Sequence, residues 1–478
     1  MAVKSITFQL GTHNPEEFDA VPGDIIGTAA SGFFPQVPFG MLPTTRGSYE
    51  LEIGATNVGT ALGTYILSAA SVLKLDDTQR VFGATVTNLY EFNGTLWTAV
   101  SRATAYSSAS WSSPWHFAQF ENATYAAQAG NQLQRSTATG AFADVPNGPK
   151  AAFVETVNQF VVVANTATST SQWICSALGD PQDWTPSQTT QCATGQITSV
   201  AGPITGLRKL GDNIVIYKER GIFLGRYAGA ANNTFVFDQV PGAIGCVSNK
   251  SIVDIGYAHL FMGHDSFYIF DGTRPLPILS TLNAWFFQDK LSRGYENTVQ
   301  GYHDISNRRV FWIYPVTPAI LPHGCICFNY ESNKWSAPRY GGTITGPFFT
   351  YKASNNVEYV GRVDSQGQLK SYETYSSNTG SFSIMLWNDH KQFITPLEVR
   401  PHWIKQPTNN VLGYQYYKTS VNGTWTQATT TQSTDFFQFT GESAKWIAYF
   451  IQINPVSGAS DKAEFKNITF TYSEDGEE

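Results

Sequence analysis

The chain has 478 residues, of which 42% are hydrophobic, 14% aromatic and only 14% charged. This composition excludes a disordered chain and a helical bundle held together by Glu–Lys pairs. The formal net charge of −7 excludes a protein that presents a basic footprint to DNA over its whole surface. The abundance of Thr, Ser, Tyr, Phe, Val and Gly favours strands joined by tight turns, and therefore an all-β fold.

The first 65 residues show little periodicity, and Pro, Gly and aromatic residues crowd positions 32–43. We interpret residues 1–65 as an extended arm that packs either on its own domain or on a neighbouring subunit. The start of the chain has no apolar signal segment, and no apolar run reaches the roughly 20 residues that span a bilayer. We therefore expect synthesis in a reducing cytoplasm, no membrane span, and five cysteines that stay free thiols.

A repeat begins near residue 70. Each unit has a short alternating strand, a polar turn, an aromatic-rich strand, and a turn with Gly or Asn. The aromatic-rich strand and its closing turn recur at 88–94, 131–140, 172–179, 221–229, 266–272 and 325–333, with a weaker unit at 357–367. The closing glycines of the first five units are spaced by roughly 40 to 50 residues, which is the period of a four-stranded propeller blade.

We therefore predict that residues 66–375 form a β-propeller of about six blades, within a range of five to seven. A long array of β-sandwiches is the alternative, but it needs no fixed period and leaves strand edges to protect, whereas ring closure covers them. A helical insertion between blades is predicted near 281–291, where Leu282, Trp285 and Phe286 share one face. Core packing is the better explanation for its aromatic residues.

After residue 380 the pattern changes to longer strands with cleaner alternation. They lie at 397–404, 413–418, 446–453 and 465–472. This pattern predicts a separate C-terminal β-sandwich-like region over 380–478. Residues 473–478 form an acidic tail that we expect in solvent.

Two short motifs contain residues that are able to do chemistry. His323, Cys325 and Cys327 would share one face of a strand, but a structural zinc site needs four ligands, and buried cysteines in a propeller strand explain the motif equally well. His264, Asp265 and Ser266 have the residue types of a hydrolase triad, but consecutive residues point in different directions, so a polar β-turn is the simpler reading. We predict no metal, no cofactor and no enzymatic activity.

Six basic residues form the only tight clusters of positive charge. These candidates for contact with DNA phosphates are Arg208, Lys209, Lys218, Arg220, Arg308 and Arg309. Each cluster flanks a predicted strand, where solvated turn residues are the ordinary explanation.

The segments 204–224, 241–251 and 263–273, with the helix that follows them, resemble the tail-hub or nozzle proteins of short-tailed bacteriophages, also called packaged-DNA stabilisation proteins. The earlier segment 88–94 is similar to the first blade of that family. The resemblance implies a β-propeller subunit of the virion tail, six copies of which form a ring below the portal and its adaptor. No catalytic residue is implied.

On this resemblance, the ring would extend the DNA channel, help to retain the packaged genome, and let it pass without specific binding. The implied partners are the tail adaptor ring and the plug, needle or tail-fibre proteins. The competing hypothesis is a propeller that binds or degrades glycans. It would use aromatic residues such as Trp97, Trp111, Trp115 and Trp184 to stack on sugars, although tryptophans also fill gaps between blades.

Overall fold

The computed structural model describes most of the chain between residues 3 and 474. The described ranges are 3–8, 38, 40–107, 109–230, 233–278, 280, 283, 285–338, 346–353, 357–375, 380–387, 394–407, 411–418, 426–433, 436–438, 446–453 and 463–474.

Seven four-stranded antiparallel sheets follow one another along the chain. From the innermost strand outward, blade 1 contains Ser68–Leu73, Gln79–Ala84, Leu89–Phe92 and Trp97–Ala99; blade 2 contains His116–Phe120, Ala123–Ala127, Gln134–Ser136 and Ala143–Asp144; and blade 3 contains Ala151–Val157, Phe160–Thr166, Gln172–Cys175 and Ala193–Gln196. In the same order, blade 4 contains Ile204–Leu210, Asn213–Lys218, Gly221–Ala230 and Asn233–Gln239, and blade 5 contains Val253–Asp254, His259–Met262, Phe267–Phe270 and Pro275–Pro277. Blade 6 contains Gln300–Asp304, Arg309–Pro315, Pro322–Asn329 and Lys334–Ser336, and blade 7 contains Phe348–Lys352, Glu358–Val363, Leu369–Tyr375 and Ile53–Val58.

These sheets form a closed ring. The innermost strand of each blade contacts the innermost strand of the next, and the first strand of blade 7 contacts that of blade 1. The strands between the inner and outer edges are packed on both faces by the neighbouring blades. For that reason Arg309–Pro315 is buried along its whole length, and its run of apolar residues shows no alternation. The predicted β-propeller is confirmed, with seven blades.

The outermost strand of blade 7 comes from the beginning of the chain. Ile53–Val58 pairs antiparallel with Leu369–Tyr375, and residue 369 lies opposite residue 58. A strand distant in sequence therefore completes the last sheet and joins the two ends of the ring by backbone hydrogen bonds. This closing strand lies within the segment 1–65 that the sequence suggested was an arm.

The remaining strands form a two-sheet sandwich. One sheet contains Val3–Phe8, Met41–Pro43, Tyr49–Leu51, Ile394–Lys405, Phe437–Gln438 and Glu464–Glu474; the other contains Gly380–Trp387, Val411–Lys418, Thr426–Ser433 and Trp446–Ile453. Buried residues from both sheets, including Val399, Phe465 and Ile451, form one apolar core between them. The strands at the start of the chain therefore pair with strands of the same chain. In its described residues, the segment interpreted as an arm packs on its own chain.

The hairpin 41–51 connects the sandwich to the propeller. On the sandwich side it pairs with Glu464–Glu474, and on the propeller side Tyr49 donates a hydrogen bond of 3.1 Å to the Trp335 carbonyl of blade 6. The buried Arg309 of blade 6 donates to the Pro43 carbonyl (2.6 Å) and to the Glu50 carboxylate (2.5 Å). This hairpin, which leads directly into the closing strand, is therefore held by both modules.

The turns between the first and second strands of the blades share one face of the ring. The Leu75 N–H of blade 1 donates to Asn122 Oδ1 of blade 2 (2.9 Å), and Asn158 Nδ2 of blade 3 donates to the Asp212 carbonyl of blade 4 (2.6 Å). We call the face that carries these turns the turn face.

The helical segments are short. In the part of the chain that the structure describes, they include two 3-10 turns, Asn249–Ser251 and Glu296–Thr298, and a π-helical segment, Trp285–Lys290. The last of these lies within the predicted insertion 281–291. Phe286 and Phe287 are buried there, and Phe286 packs against Phe267 and Tyr314, so the core-packing interpretation is confirmed for these two aromatic residues. Residues 281, 282 and 284 lie outside the described part of the chain.

Candidate functional site

The axis of the propeller is occupied by the link between blades 4 and 5. The 3-10 turn Asn249–Ser251 in this link contacts the innermost strands of blades 4 and 6. Asn249 Nδ2 donates to His116 Nδ1 of blade 2 (2.8 Å), and Asn249 Oδ1 accepts from the Leu207 N–H of blade 4 (2.9 Å). Lys250 Nζ reaches Ser68 Oγ of blade 1 at 2.6 Å. Two consecutive residues thus tie three blades together at the centre; we call this link with its partners the axial plug.

Further hydrogen bonds extend the axial plug. Ser68 Oγ donates to the Trp115 carbonyl between blades 1 and 2 (2.7 Å), and Gln300 Nε2 of blade 6 donates to the Leu67 carbonyl (3.1 Å). Ser68 and Gln300 are both buried. Since buried polar groups are costly unless they are hydrogen-bonded, these contacts act as specific cross-links between blades.

Burial sets the protonation of the axial plug. Burial, with a smaller contribution from the nearby Arg208 guanidinium, lowers the pKa of Lys250 to about 7. Burial also lowers the pKa of His116 well below its usual value, with smaller contributions from Lys250 and Arg208. His116 is therefore neutral at pH 7, and because its Nδ1 accepts from Asn249, its proton is on Nε2. Glu155, whose pKa is raised by burial, lies 3.9 Å from Arg208.

The structure does not bring the six candidate DNA-contact residues together. Lys209, Arg220 and Arg308 are exposed, so phosphate contact by these three stays a prediction. Arg208 points into the axial plug, where it donates to the Asn249 carbonyl (3.3 Å).

The prediction of DNA contact is wrong for the remaining two residues. Arg309 and Lys218 are each only 1% exposed. Arg309 is held by the hairpin 41–51, and Lys218 Nζ donates to the carbonyls of Ile197 (2.7 Å) and Val200 (2.6 Å) and to Ser171 Oγ (3.1 Å). Both charged groups are used inside the chain and cannot reach a phosphate.

The two chemical motifs have structural roles. His264, Asp265 and Ser266 form a turn in which Asp265 accepts from the Tyr268 hydroxyl (2.8 Å) and Ser266 donates to the Phe267 carbonyl (3.1 Å). The interpretation of this motif as a polar turn is confirmed.

Cys325 and Cys327 are buried on one strand, and burial raises the pKa of both thiols. His323 Nδ1 lies 3.0 Å from the Leu321 carbonyl. Within the described ranges, no three His, Cys, Asp or Glu side chains are arranged to hold a metal ion. None of the helices in those ranges is long and apolar enough to cross a membrane.

Three of the four tryptophans proposed to stack on sugars fill gaps between strands. Trp97, Trp115 and Trp184 are 7%, 0% and 6% exposed. The indole N–H of Trp97 donates to the Gly367 carbonyl of blade 7 (3.0 Å), and that of Trp184 donates to the Pro181 carbonyl (3.1 Å). The gap-filling explanation is confirmed for these three residues.

A cavity of about 380 Å³ opens between blades 3 and 4, away from the axis. We call it the cleft. Four aromatic side chains line it: Trp173, Phe223, Phe235 and Phe237. The sequence identified the strand of Trp173 as part of a repeat unit but gave no sign of the cleft, because its two walls come from different blades.

Comparisons with known proteins give distant likenesses. No protein-family model matches the chain, and no curated protein matches it. Among solved structures, YCF48 bound to D1 peptide is similar at 9% identity with a TM-score of 0.41, over 67% of this chain and 95% of that chain. YCF48 from Cyanidioschyzon merolae is similar at 10% identity with a TM-score of 0.39, over 67% and 98% of the two chains. KlHsv2 with loop 6CD replaced by a Gly-Ser linker is similar at 10% identity with a TM-score of 0.36, over 68% and 94%. At these values the likenesses carry no functional inference, and the propeller assignment stands on the strand pairing.

Proposed function

We propose that the chain is a structural subunit of the tail of a short-tailed bacteriophage, without enzymatic turnover. Copies of it would form a nozzle ring, with six as the expected number, below the portal-adaptor. This ring would extend the DNA channel and help to retain and then release the packaged genome. The proposal rests on the resemblance of residues 204–291 to tail-hub proteins and on one structural observation. The axial plug fills the centre of the propeller and cross-links the blades there.

The axial plug supports a load-bearing role. Hydrogen bonds from Asn249, Lys250 and Gln300 tie blades 1, 2, 4 and 6 to the centre, and the closing strand joins blade 7 to the start of the chain. A ring fixed both at its centre and at its seam resists opening under pressure from packaged DNA. With its own axis filled, each propeller would be one block of a wall, and the DNA would run in a lumen enclosed by several copies.

The charge distribution supports passage of DNA without tight binding. The chain carries a formal net charge of −7, and two of its candidate phosphate-binding groups, on Lys218 and Arg309, are buried. Affinity for DNA depends on how many phosphates are neutralised by Lys and Arg. A wall with few exposed cations would allow the genome to slide.

The turn face supports contact with a neighbouring copy. Leu75, Tyr257, Ile305 and Val357 lie on this face and are 75%, 63%, 60% and 46% exposed. They belong to blades 1, 5, 6 and 7, which are consecutive around the ring, so we call them the apolar arc. Exposed apolar residues on one face of a subunit can pack against a neighbouring copy, and a ring of identical subunits requires such a surface.

The proposal is tested by measuring assembly. Mass photometry and negative-stain images of the purified protein, alone and mixed with the products of its neighbouring genes, should show closed rings. The double variant Leu75→Asp/Tyr257→Asp should shift the population toward monomers, because it places charge in the apolar arc. Gln159→Glu, on the blade 3 turn of the same face, is the matched control and should still assemble. A protein that stays monomeric with every tail component, or that cleaves a polysaccharide, would overturn the proposal.

A further inference from the structure

The cleft between blades 3 and 4 has the features of a built binding site. Its first feature is a hydrogen-bond donor without a partner. The Trp173 side chain is mostly buried, but its indole N–H is open to the cleft and makes no hydrogen bond to any described residue. Such a donor bonds to water or to a ligand. A ligand oxygen in the cleft would accept from it.

The second feature is a ring that lies over a glycine. Gly195, on the outermost strand of blade 3, lies opposite Trp173 in the sheet. A Cβ at Gly195 would be 2.8 Å from the indole nitrogen and 2.9 Å from two ring carbons, so the indole fills the space above the glycine. Any side chain at position 195 would displace the ring, and the orientation of Trp173 in the cleft therefore depends on this glycine.

The third feature is a wall held in place by a buried lysine. The segment 197–200 lines the cleft through Ile197, Thr198 and Ser199. Lys218 of blade 4 fixes this segment by donating to the Ile197 and Val200 carbonyls. A segment fixed at both ends keeps its geometry before a ligand arrives, and preorganisation of this kind lowers the cost of binding.

The chemistry of the lining indicates the class of ligand. None of the described residues around the cleft has an ionisable side chain, so a charged ligand would lose its hydration without compensation. The exposed side chains of Gln196, Thr198, Ser199 and Asn233 stand at the rim and make no hydrogen bond within the described part of the chain. Hydroxyl and amide groups both donate and accept, and the half-exposed Phe237 offers an aromatic surface beside Trp173 at a centroid distance of 5.0 Å.

We propose that the cleft is a binding subsite for a neutral sugar. The C–H face of a pyranose would pack on the aromatic rings, one of its oxygens would accept from the Trp173 indole N–H, and its hydroxyls would bond to the rim. In this role the protein would contact a neutral surface glycan in addition to serving as a tail subunit. Because the cleft lies between two blades of one chain, binding does not depend on ring assembly.

The test uses saturation-transfer difference NMR on the full chain. The probes are methyl α-D-glucopyranoside, methyl β-D-galactopyranoside, N-acetylglucosamine and maltose, each at about 10 mM, which suits the weak affinity of a single small subsite. N-acetylneuraminic acid and a neutral proline-rich hexapeptide are the comparison ligands. At least one neutral sugar should receive saturation, and the acidic sugar and the peptide should not.

Variants locate the site. Trp173→Phe removes the donor and keeps most of the packing, so it should weaken sugar binding by about tenfold, the worth of one hydrogen bond. Trp97→Phe is the matched control, because the Trp97 indole N–H is already bonded to Gly367 inside the propeller; it should leave binding unchanged. Asn233→Ala, at the exposed rim, should weaken binding without affecting folding, and it keeps the test valid if Trp173→Phe does not fold.

The proposal is overturned if none of the four neutral sugars receives saturation, if the peptide or the acidic sugar binds instead, or if both Trp173→Phe and Asn233→Ala bind as tightly as the parent protein.

Discussion

The contact between Arg309 and the hairpin 41–51 gives the sharpest test of how the two modules are joined. Arg309→Met keeps most of the side-chain volume and removes the guanidinium. The variant loses a charge-assisted hydrogen bond to Glu50 and a second bond to the Pro43 carbonyl. Breaking a buried pair costs about 3–5 kcal/mol, but the Glu50 side chain is 30% exposed and can be partly rehydrated. We therefore expect a loss of about 2–3 kcal/mol in the free energy of unfolding.

The assay is guanidinium unfolding followed by tryptophan fluorescence, together with hydrogen exchange measured by mass spectrometry. Exchange should rise in peptides covering residues 41–58, because the hairpin leads into the closing strand. Arg308→Met is the matched control: the neighbouring guanidinium is exposed, so the unfolding midpoint should not move. If the two variants unfold alike and exchange in 41–58 is unchanged, Arg309 does not hold the modules together and the reasoning is refuted.

Three further predictions concern the axis, the thiols and one blade junction. The pKa of Lys250 is about 7 in the folded chain against an ordinary 10.5, so the unfolded chain binds more protons between these values and stability rises with pH across that window. Lys250→Met should remove up to about 1.4 kcal/mol per pH unit of this slope in urea titrations, and an unchanged slope would contradict the assignment. All five thiols are buried and unpaired, so a thiol reagent at pH 8 should label none of them in the folded protein and all of them after denaturation; fast labelling of the folded protein would show the burial to be wrong. Gly245→Ala should destabilise the protein by about 2–4 kcal/mol, because a Cβ there would lie 1.9 Å from the Lys218 carbonyl oxygen; thermal unfolding checks this, and a neutral result would exclude the tight junction.

The blade repeat could be predicted because its signal is local. The first six aromatic-rich segments coincide with the third strand of blades 1 to 6, and the weaker segment at 357–367 contains the second strand of blade 7. The closing glycines at 94, 140, 179, 229 and 272 all have positive φ, a conformation that glycine adopts without steric cost. The positions of these glycines in the sequence therefore predict the spacing of the turns.

The closing strand could not be predicted because its partner is distant. Residues 53–58 contain Gly and Asn and have no alternation, and their place in a sheet is decided by Leu369–Tyr375. The burial of Lys218 and Arg309 escaped prediction for the same reason. A lysine or arginine is normally exposed, and only the carbonyls and the carboxylate that surround these two in the folded chain make their burial tolerable.

The cleft is a further feature that depends on tertiary structure. Trp173 stands in a strand whose sequence pattern is the same as that of its counterparts in other blades. What distinguishes it is a wall supplied by the next blade, which encloses the cleft beside the indole. This relation does not follow from spacing along the chain.

Pairing of Ile53–Val58 with Leu369–Tyr375 determines when the propeller can close during synthesis. At typical ribosomal speeds the interval between the appearance of these two segments is on the order of 15 to 60 s, and throughout it the nascent ring stays an open arc. The sandwich is completed later than the propeller, since Val3–Phe8 pairs with Glu464–Glu474. Both modules are thus completed only after these later segments have been synthesised, and a message that ends before them leaves both modules unfinished.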